Sequence, residues 1–448
     1  MQIESSGPVA TGTLAESART GAPIPRRGLV HNRNFVLLAC AQGISNVGDF
    51  FFTTTLLVWI YELTHQAGAV GSIWVAEYAP IFLLGPFAGV FVDRWNRRTT
   101  MLTADIARAA LTLIPLLVAG ALRLPTIYVS VFVLGAFSRF FMPAKAALLQ
   151  AIVPEEQRGQ AASVSQTLMA ISFILGPAIA TPLYSLFGPT IALTINALSF
   201  GVSALCVSLM RVPREQLHPY AYQAQEANSQ QGLQLVLREF QEGLTFVRKT
   251  RTLLILILVS LLAMLGAGAL NSLDIVFVAQ RLHSPTSLYG TLMAAGGVGV
   301  LVGAVVCGLL GKRITPKAMV SWGVMLLGIG LIVYSFQTIF LVAVILNFLI
   351  CIPQAGLNIG FGPLIMGVTP GKMMGRVQSV LDTSMFGFSL LSATLASFLG
   401  QLVRVDILFG LCGGLIVLAG ILSLFLLPAH EGQPATAMVA ENAGDLHP

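Results

Sequence analysis

Charge is the scarce ingredient of this chain. Asp, Glu, Lys and Arg make up 10% of its 448 residues, whereas 55% are hydrophobic, and the mean hydropathy is +0.82. A soluble domain of this length could bury a large core, but it would still need a charged surface. Too few charges exist to make one, so lipid is the solvent expected for most of the chain. The net charge of +6 is modest. No basic patch with interleaved aromatics is present to hold nucleic acid.

Other absences exclude chemistry. Cys40, Cys206, Cys307, Cys351 and Cys412 all lie in apolar runs, without metal-ligand spacing. Neither a disulfide framework nor a metal site is expected, and the cysteines read as small packing residues. His31, His65, His218, His283, His430 and His447 fall outside the apolar runs, which removes histidine as an intramembrane proton carrier. The sequence has no G-x-S-x-G, no H-E-x-x-H and no G-x-x-x-x-G-K-[ST]. These gaps speak against a membrane enzyme and a nucleotide-driven pump, and no cofactor is expected. Residues 1–33 contain no apolar h-region, so a cleavable signal peptide is not expected. Their Ser, Thr, Gly, Ala and Pro content, ending in Arg26, Arg27 and Arg33, reads as a disordered cytoplasmic tail, and 429–448 reads as a second.

What is present is a series of apolar runs long enough to cross a bilayer, which takes roughly 20 residues. Twelve are expected, at about 35–62, 67–92, 98–121, 126–149, 161–187, 190–210, 253–280, 288–310, 318–336, 339–363, 376–400 and 406–427. They are continuous rather than alternating, which excludes a β-barrel. The long break at 211–252 separates halves of nearly equal length, 34–210 and 253–428. Residues support an internal repeat. "NVGD" at 46–49 recurs as "NSLD" at 271–274. Pro154, Gly159 and Ser163 recur at one offset as Pro370, Gly375 and Ser379, and Gly89 and Arg94 recur as Gly308 and Arg313. Two copies of a six-helix unit is the organisation of a secondary transporter, with its site between the halves. A selective channel would more often be an oligomer of fewer spans.

Nearly all Lys and Arg sit in the N-terminal tail and in the loops after spans 2, 4, 6, 8 and 10. The opposite loops carry only Arg123, Arg281 and Arg404. By the positive-inside bias both termini are cytoplasmic. Within the middle loop Leu233, Val236, Leu237, Phe240, Leu244 and Val247 recur at helical spacing, flanked by Arg238, Arg248 and Lys249. An amphipathic helix on the inner membrane surface is expected there, as a tether between the halves.

The loop after span 2 reads "GVFVDRWNRR", of the form G-x-x-x-D-R-x-x-R-R over Gly89, Asp93, Arg94, Arg97 and Arg98. It resembles the loop 2–3 signature of the major facilitator superfamily, with Asn96 where that pattern usually has Gly. Together with "FFMPAKAALLQAIVPEEQ" and "ILGPAIATPL", the chain resembles the drug:proton antiporter-3 branch, which includes macrolide efflux proteins and the enterobactin exporter. The resemblance covers roughly 34–428. It implies an all-α membrane protein, with twelve transmembrane helices in two pseudo-symmetric six-helix bundles, in the cell (inner) membrane. It also implies a secondary transporter, not an enzyme. The expected activity is proton-coupled efflux of lipophilic or amphipathic organic compounds, macrolide-like drugs among them, by alternating access. A siderophore exporter or a lysolipid flippase of the same fold is the alternative. The expected partners are a small-molecule substrate, protons and membrane lipid, with the chain acting as a monomer. In span 5 the antiporter signature G-P-x-x-G-G stands here as Gly176-Pro177-Ala178-Ile179-Ala180-Thr181. Small residues replace the last two glycines, so close helix approach survives.

An ionisable side chain near the bilayer centre costs about 3 kcal/mol or more, so those present need a reason. Asp49 in span 1, Glu77 in span 2 and Asp382 in span 11 fall near mid-span, and Asp274 lies nearer the outer end of span 7. Asp49 and Glu77 read as proton or cationic-substrate sites, because desolvation penalises the charged form of a carboxyl. The other reading is a hydrogen-bonded structural carboxyl, with Asn46 one turn from Asp49. Asn271, Gln166, Asn196 and Asn347 are further mid-span polar groups, suited to lining a cavity or to bonding another helix. Asp105, Arg108 and Arg139 share a depth and read as a paired structural cluster. Arg139 would also suit an anionic substrate.

The family's alternating-access architecture implies that Asp93 faces the start of span 11, where Lys372 and Arg376 stand. In the second repeat Lys312 and Arg313 occupy the places of Asp93 and Arg94, and their pseudo-symmetric partners are Glu155 and Glu156 at the start of span 5. Two cross-half latches of exchanged sign are therefore expected at the cytoplasmic gate, the alternative being that Glu155 and Glu156 merely cap span 5 at its N-terminus.

Overall fold

The structure, a computed structural model, describes residues 29–92, 95–212, 229–310 and 314–427. The two tails and most of the middle loop lie outside these residues. So do Asp93, Arg94, Lys312 and Arg313 of the expected latches, and the surroundings of Gly89. All regular structure among the described residues is helical. In chain order the helices are α1 (Arg33–Thr64), α2 (Ala67–Val92), α3 (Arg97–Leu117) and α4 (Arg123–Ile152). Next comes the stretch Arg158–Leu209, which breaks at Gly188 into α5 and α6. The others are α7 (Ser229–Lys249), α8 (Arg251–Gln280), α9 (Tyr289–Leu310), α10 (Pro316–Ser335), α11 (Phe340–Val368), α12 (Met374–Leu402) and α13 (Val405–Leu426). Eleven segments are long and apolar enough to cross a membrane, and one of them holds both α5 and α6. All but α7 therefore cross, and twelve crossings result, as the apolar runs predict.

Local chemistry sets the ends of these helices. Asn32 accepts from Phe35 N at 3.2 Å, Asn96 from Thr99 N at 3.1 Å and Thr315 from Ala318 N at 3.3 Å. Each satisfies a donor that its helix leaves open at the first turn. Gly188 adopts φ 72, ψ −173, a backbone region that a Cβ would strain. Pro189 follows it as the first residue of α6, where its missing N–H costs nothing. The Gly-Pro pair thus makes the whole turn between two crossings.

Packing follows the repeat. In the first half α5 lies along α1, and α2 and α3 pack on α4; in the second, their counterparts do the same, α12 along α8, and α9 and α10 on α11. The halves meet through α2 with α12 and through α5 with α9, pairs that exchange under the repeat. These crossings are closest at the end of the bundle opposite the chain termini, called here the far end. There Ser397 Oγ donates to the Gly68 carbonyl at 2.6 Å and lies 3.0 Å from Ser72 Oγ. Thr286 Oγ1 donates to Glu62 Oε1 at 2.8 Å, and Tyr184 Oη, from the same half as Glu62, donates to Oε2 at 2.7 Å. Gly290 of α9 lies so close over the Pro177 carbonyl of α5 that a Cβ would collide with it.

The linker helix is more than the tether expected. Arg376, in the first turn of α12, pairs with Glu242 of α7 at 2.7 Å and Glu239 at 3.3 Å. Gly243 packs against the Arg376 carbonyl, and Val247 is buried. The side chains of Leu233, Val236 and Leu237 lie outside the description. Arg97 and Arg98 also do more than add positive charge. Arg97 donates to the Ala147 carbonyl at 3.3 Å, and Arg98 to the Val207 carbonyl at 3.2 Å and to that of Ser208. They thereby satisfy carbonyls near the ends of α4 and α6.

The α1–α5 contact is testable at Gly176, where a Cβ would lie 2.5 Å from Phe50 Cβ and 3.0 Å from Phe51 N. Gly176→Ala is expected to lower the thermal midpoint of the purified protein, through overpacking of about 1–3 kcal/mol. Gly362→Ala, which meets open space, should not. Equal midpoints for both variants would show that α1 and α5 do not approach this closely.

Candidate functional site

A cavity of about 530 Å³ lies inside the first half, walled by α1, α2, α4 and α5 with Arg108 of α3. It runs from mid-bundle toward the end that bears the termini, where Gln42, Lys145 and Gln166 stand on its wall. Beyond it the far-end contacts close the bundle. Asp49 is about 24 Å along α1, and Glu77 about 15 Å into α2 from the far end, at a rise of about 1.5 Å per residue. Both therefore sit near mid-depth, and both line the cavity.

Close packing aims these groups. Gly135 of α4 faces Pro80 and the Glu77 carbonyl of α2, with Pro80 Cγ 2.8 Å from where a Cβ would be. Arg139 follows Gly135 by one helical turn and so shares its face. Its guanidinium lines the cavity, with the Phe386 ring of α12 at 6.0 Å from the opposite half. The charges of Arg139 and Asp49 both act on Glu77, and those of Arg108, Asp105 and Lys145 act on Asp49. Among the described residues, Asn46 Nδ2 and Arg139 Nε are buried without a hydrogen-bond partner. With Arg108 Nε, also open and also on a wall residue, the cavity offers two carboxyls and three donors without a partner among the described residues.

Arg139, expected with Asp105 and Arg108, stands apart from them. Asp105 and Arg108 are almost fully buried and bonded to each other. Their third partner is Ser203 of α6, which donates to Asp105 Oδ2 at 2.7 Å. The Arg108 guanidinium lies over Phe141 at 4.3 Å and Phe200 at 4.5 Å. The helical turn of α4 decides the difference, placing Arg139 on the Gly135 face toward α2.

Three other residues expected in the cavity are not on this wall. Asp274 is buried in the second half, accepting from Tyr334 Oη at 2.8 Å beside the stacked rings of Phe277, Tyr334 and Phe409. Asn271 is exposed on α8. Asp382 is exposed on α12 and accepts from Gln378 Nε2 at 2.8 Å. Depth along a span placed them, but depth does not give the direction in which a side chain points. Asn347 takes the interhelical role, donating to the Leu292 carbonyl at 2.8 Å. Glu155 and Glu156 are exposed in the short turn before α5, and Lys372 is exposed before α12.

Lys145 and Gln42 are among the wall residues that the sequence did not single out, and neither did it single out Phe386, which stands opposite Arg139. Lys145 sits in the quoted "PAKAALL", and its only available signal was a lone cation inside an apolar helix. Phe386 gives no signal among 26 phenylalanines.

Arg108 and Arg139 are separable by substitution. Arg108→Leu leaves the Asp105 carboxylate buried without its cation, which is expected to destabilise by about 3–5 kcal/mol and to be read as loss of folded protein after detergent extraction. Arg139→Leu should extract as well as the unaltered protein. Equal yields of the two variants would contradict the separate roles.

Comparison with known proteins agrees with this architecture. Residues 38–273 and 256–441 match the family model for the Major Facilitator Superfamily. The chain is 29% identical over 401 residues to the uncharacterized MFS-type transporter YfiS of Bacillus subtilis (strain 168), covering 88% of this chain and 93% of that one. It is 25% identical over 392 residues to macrolide efflux protein A of Streptococcus pyogenes, covering 86% and 93%. The crystal structure of the nucleoside transporter NupG superposes with a TM-score of 0.72 over 88% of this chain and 100% of that one. At 11% identity it speaks for the fold alone. With two copies of a six-helix unit, a mid-depth cavity and a family match over both halves, the chain belongs to the major facilitator superfamily, as a multi-pass cell-membrane transporter of small molecules and not an enzyme.

Proposed function

We propose that the protein is a proton-coupled exporter of lipophilic or amphipathic organic compounds, macrolide-like drugs among them, working by alternating access. The observation that carries this reading is the pairing of Asp49 and Glu77 on one mid-depth cavity closed at the far end. The relation to macrolide efflux protein A supports the direction and the substrate class. The proton gradient supplies the energy and no cofactor takes part. Both termini face the cytoplasm, supported by the Lys and Arg bias of the loops on that side. The far end is then the outer face, and the arrangement is the one that loads substrate from inside. The protein works as a monomer, with Asn46 and Gln166 on the substrate wall. The Gly89–Arg98 loop, with Asp93 and Arg94, closes the cytoplasmic gate against α12 and α5.

The cycle needs few moving charges. Substrate enters beside Glu77 and Arg139. A carboxyl that is ionised there is compensated by the guanidinium. When it takes a proton from the outer face, Arg139 loses that compensation, and the balance of charge in the cavity changes with the conformation. One observation favours a second reading, export of an anionic siderophore or flipping of a lysolipid. Arg139 Nε has no hydrogen-bond partner among the described residues, so an anionic or acceptor group would find a donor there.

Export should be measured in a pump-deficient bacterial host across macrolides, other lipophilic drugs and catecholate siderophores. Glu77→Gln and Asp49→Asn are each expected to reduce export to background while the protein still reaches the membrane, and a protonophore should do the same to the unaltered protein. Wild-type export by both variants, with unchanged pH dependence, would exclude the proton role. Loss of siderophore export alone in Arg139→Leu would favour the second reading.

A further inference from the structure

A second hollow lies on the outside of the first half. It is a groove of about 770 Å³ between α1, α5 and α6, with Val36, Cys40 and Val47 on one wall and Leu168, Ile179 and Leu198 on the others. Its surface is almost wholly carbon. The two polar side chains on its wall, Ser172 and Ser199, donate to the carbonyls of Leu168 at 2.7 Å and Asn196 at 2.8 Å. Neither hydroxyl proton is left for a ligand. Along α1 the groove extends from Val36 to Phe51, about 22 Å at the helical rise, against about 15 Å for the hydrocarbon of one leaflet.

One mouth of this groove is cationic. Asn34 joins the start of α1 to the chain leaving α6: its Nδ2 donates to the Arg211 carbonyl at 2.8 Å, and its Oδ1 accepts from Arg211 N at 3.0 Å. Arg211 is exposed. Arg33 precedes Asn34 and stands three and seven residues before Val36 and Cys40, on the groove face of α1 by helical register. Two arginines thus stand where a carbon-lined channel meets the membrane surface. An occupant must be apolar for most of its length and anionic at one end. Residues 1–28 do not fit that description, since they are rich in Ser, Thr, Gly and Pro and include Arg19, Arg26 and Arg27.

We propose that this groove is a binding site for an anionic phospholipid, with an acyl chain between α1, α5 and α6 and the phosphate at Arg33 and Arg211. Guanidinium donors suit a phosphate because they can form paired, charge-assisted hydrogen bonds. A zwitterionic lipid brings the same phosphate but also an ammonium group, which the two arginines repel. The site is separate from the mid-depth cavity and stands whether or not that cavity couples to protons.

Cys40 provides the readout in the unaltered full-length protein, because it is exposed and lies on the groove wall. The protein would be purified in detergent and supplemented with phosphatidylglycerol or with phosphatidylcholine of the same chains. N-ethylmaleimide labelling of Cys40 would be followed by peptide mass spectrometry, with Cys307 as the internal reference. Phosphatidylglycerol is expected to slow labelling of Cys40 and not of Cys307. The concentration that achieves this should rise about tenfold in the Arg33→Ala, Arg211→Ala double variant, the loss of about 1.4 kcal/mol of binding. Native mass spectrometry should show one phosphatidylglycerol retained by the unaltered protein and lost from the double variant. Equal protection by the two lipids, or protection unchanged in the double variant, would overturn the proposal. So would a rise in Cys40 labelling on deletion of residues 1–28 without added lipid, which would make the tail the occupant.

Discussion

Within the bilayer no polar group can turn to water for a partner, and most of this structure follows from that constraint. Backbone groups meet it by helix formation along every crossing. Side chains meet it pairwise. Asp105 takes Arg108 and Ser203, Asp274 takes Tyr334, and Ser321 takes Ser423 across α10 and α13 at 2.6 Å. Against this background Asp49, Glu77 and Arg139 stand out. They face a cavity instead of a fixed partner, and Arg139 Nε and Asn46 Nδ2 on its wall are among the buried atoms that have no hydrogen-bond partner among the described residues. Groups of that kind are costly to keep at membrane depth, which is the physical reason to seek function in them.

Closure at the far end rests on small residues. Gly68, Ser72 and Ser397 let α2 and α12 touch, and Gly290 lets α9 touch α5 at Pro177. Because α2–α12 and α5–α9 exchange under the repeat, the two contacts form one symmetric seam. Contacts of this sort are short in reach and depend on backbone approach, so a rocking of the halves would release them together. At the other end Arg376 is held by Glu239 and Glu242 of the linker helix. Both carboxylates are more than a third exposed, so each pair adds at most about 1 kcal/mol. That is enough to favour one arrangement of α12 without fixing it.

The repeat is exact in topology and broken in chemistry. Asp49 opens onto a cavity while its counterpart Asp274 is locked under Tyr334. Gln166 lines the cavity, whereas its counterpart Asp382 bonds along its own helix to Gln378. The mid-depth charges open to a cavity have thus gathered in the first half. The second half contributes Phe386 against Arg139 and a core of stacked rings.

The sequence by itself determined the solvent, the number of crossings, the two-fold repeat and the break at Gly188. Each of these depends on hydropathy or on a local backbone preference, and both are written in consecutive residues. It also singled out Asp49 and Glu77, because charge at mid-span is costly wherever it points. Only the tertiary structure decided which way side chains point. It separated Arg139 from Asp105 and Arg108, buried Asp274 under Tyr334, left Asn271 and Asp382 off the wall of the first-half cavity, added Lys145 and gave Arg376 to the linker helix. Those outcomes depend on the rotation of each helix about its axis. That rotation is set by contacts such as Gly135 on Pro80 and Gly176 on Phe50, between residues far apart in the chain. In a helix that is apolar on every side, no hydrophobic stripe records in advance which face will meet which.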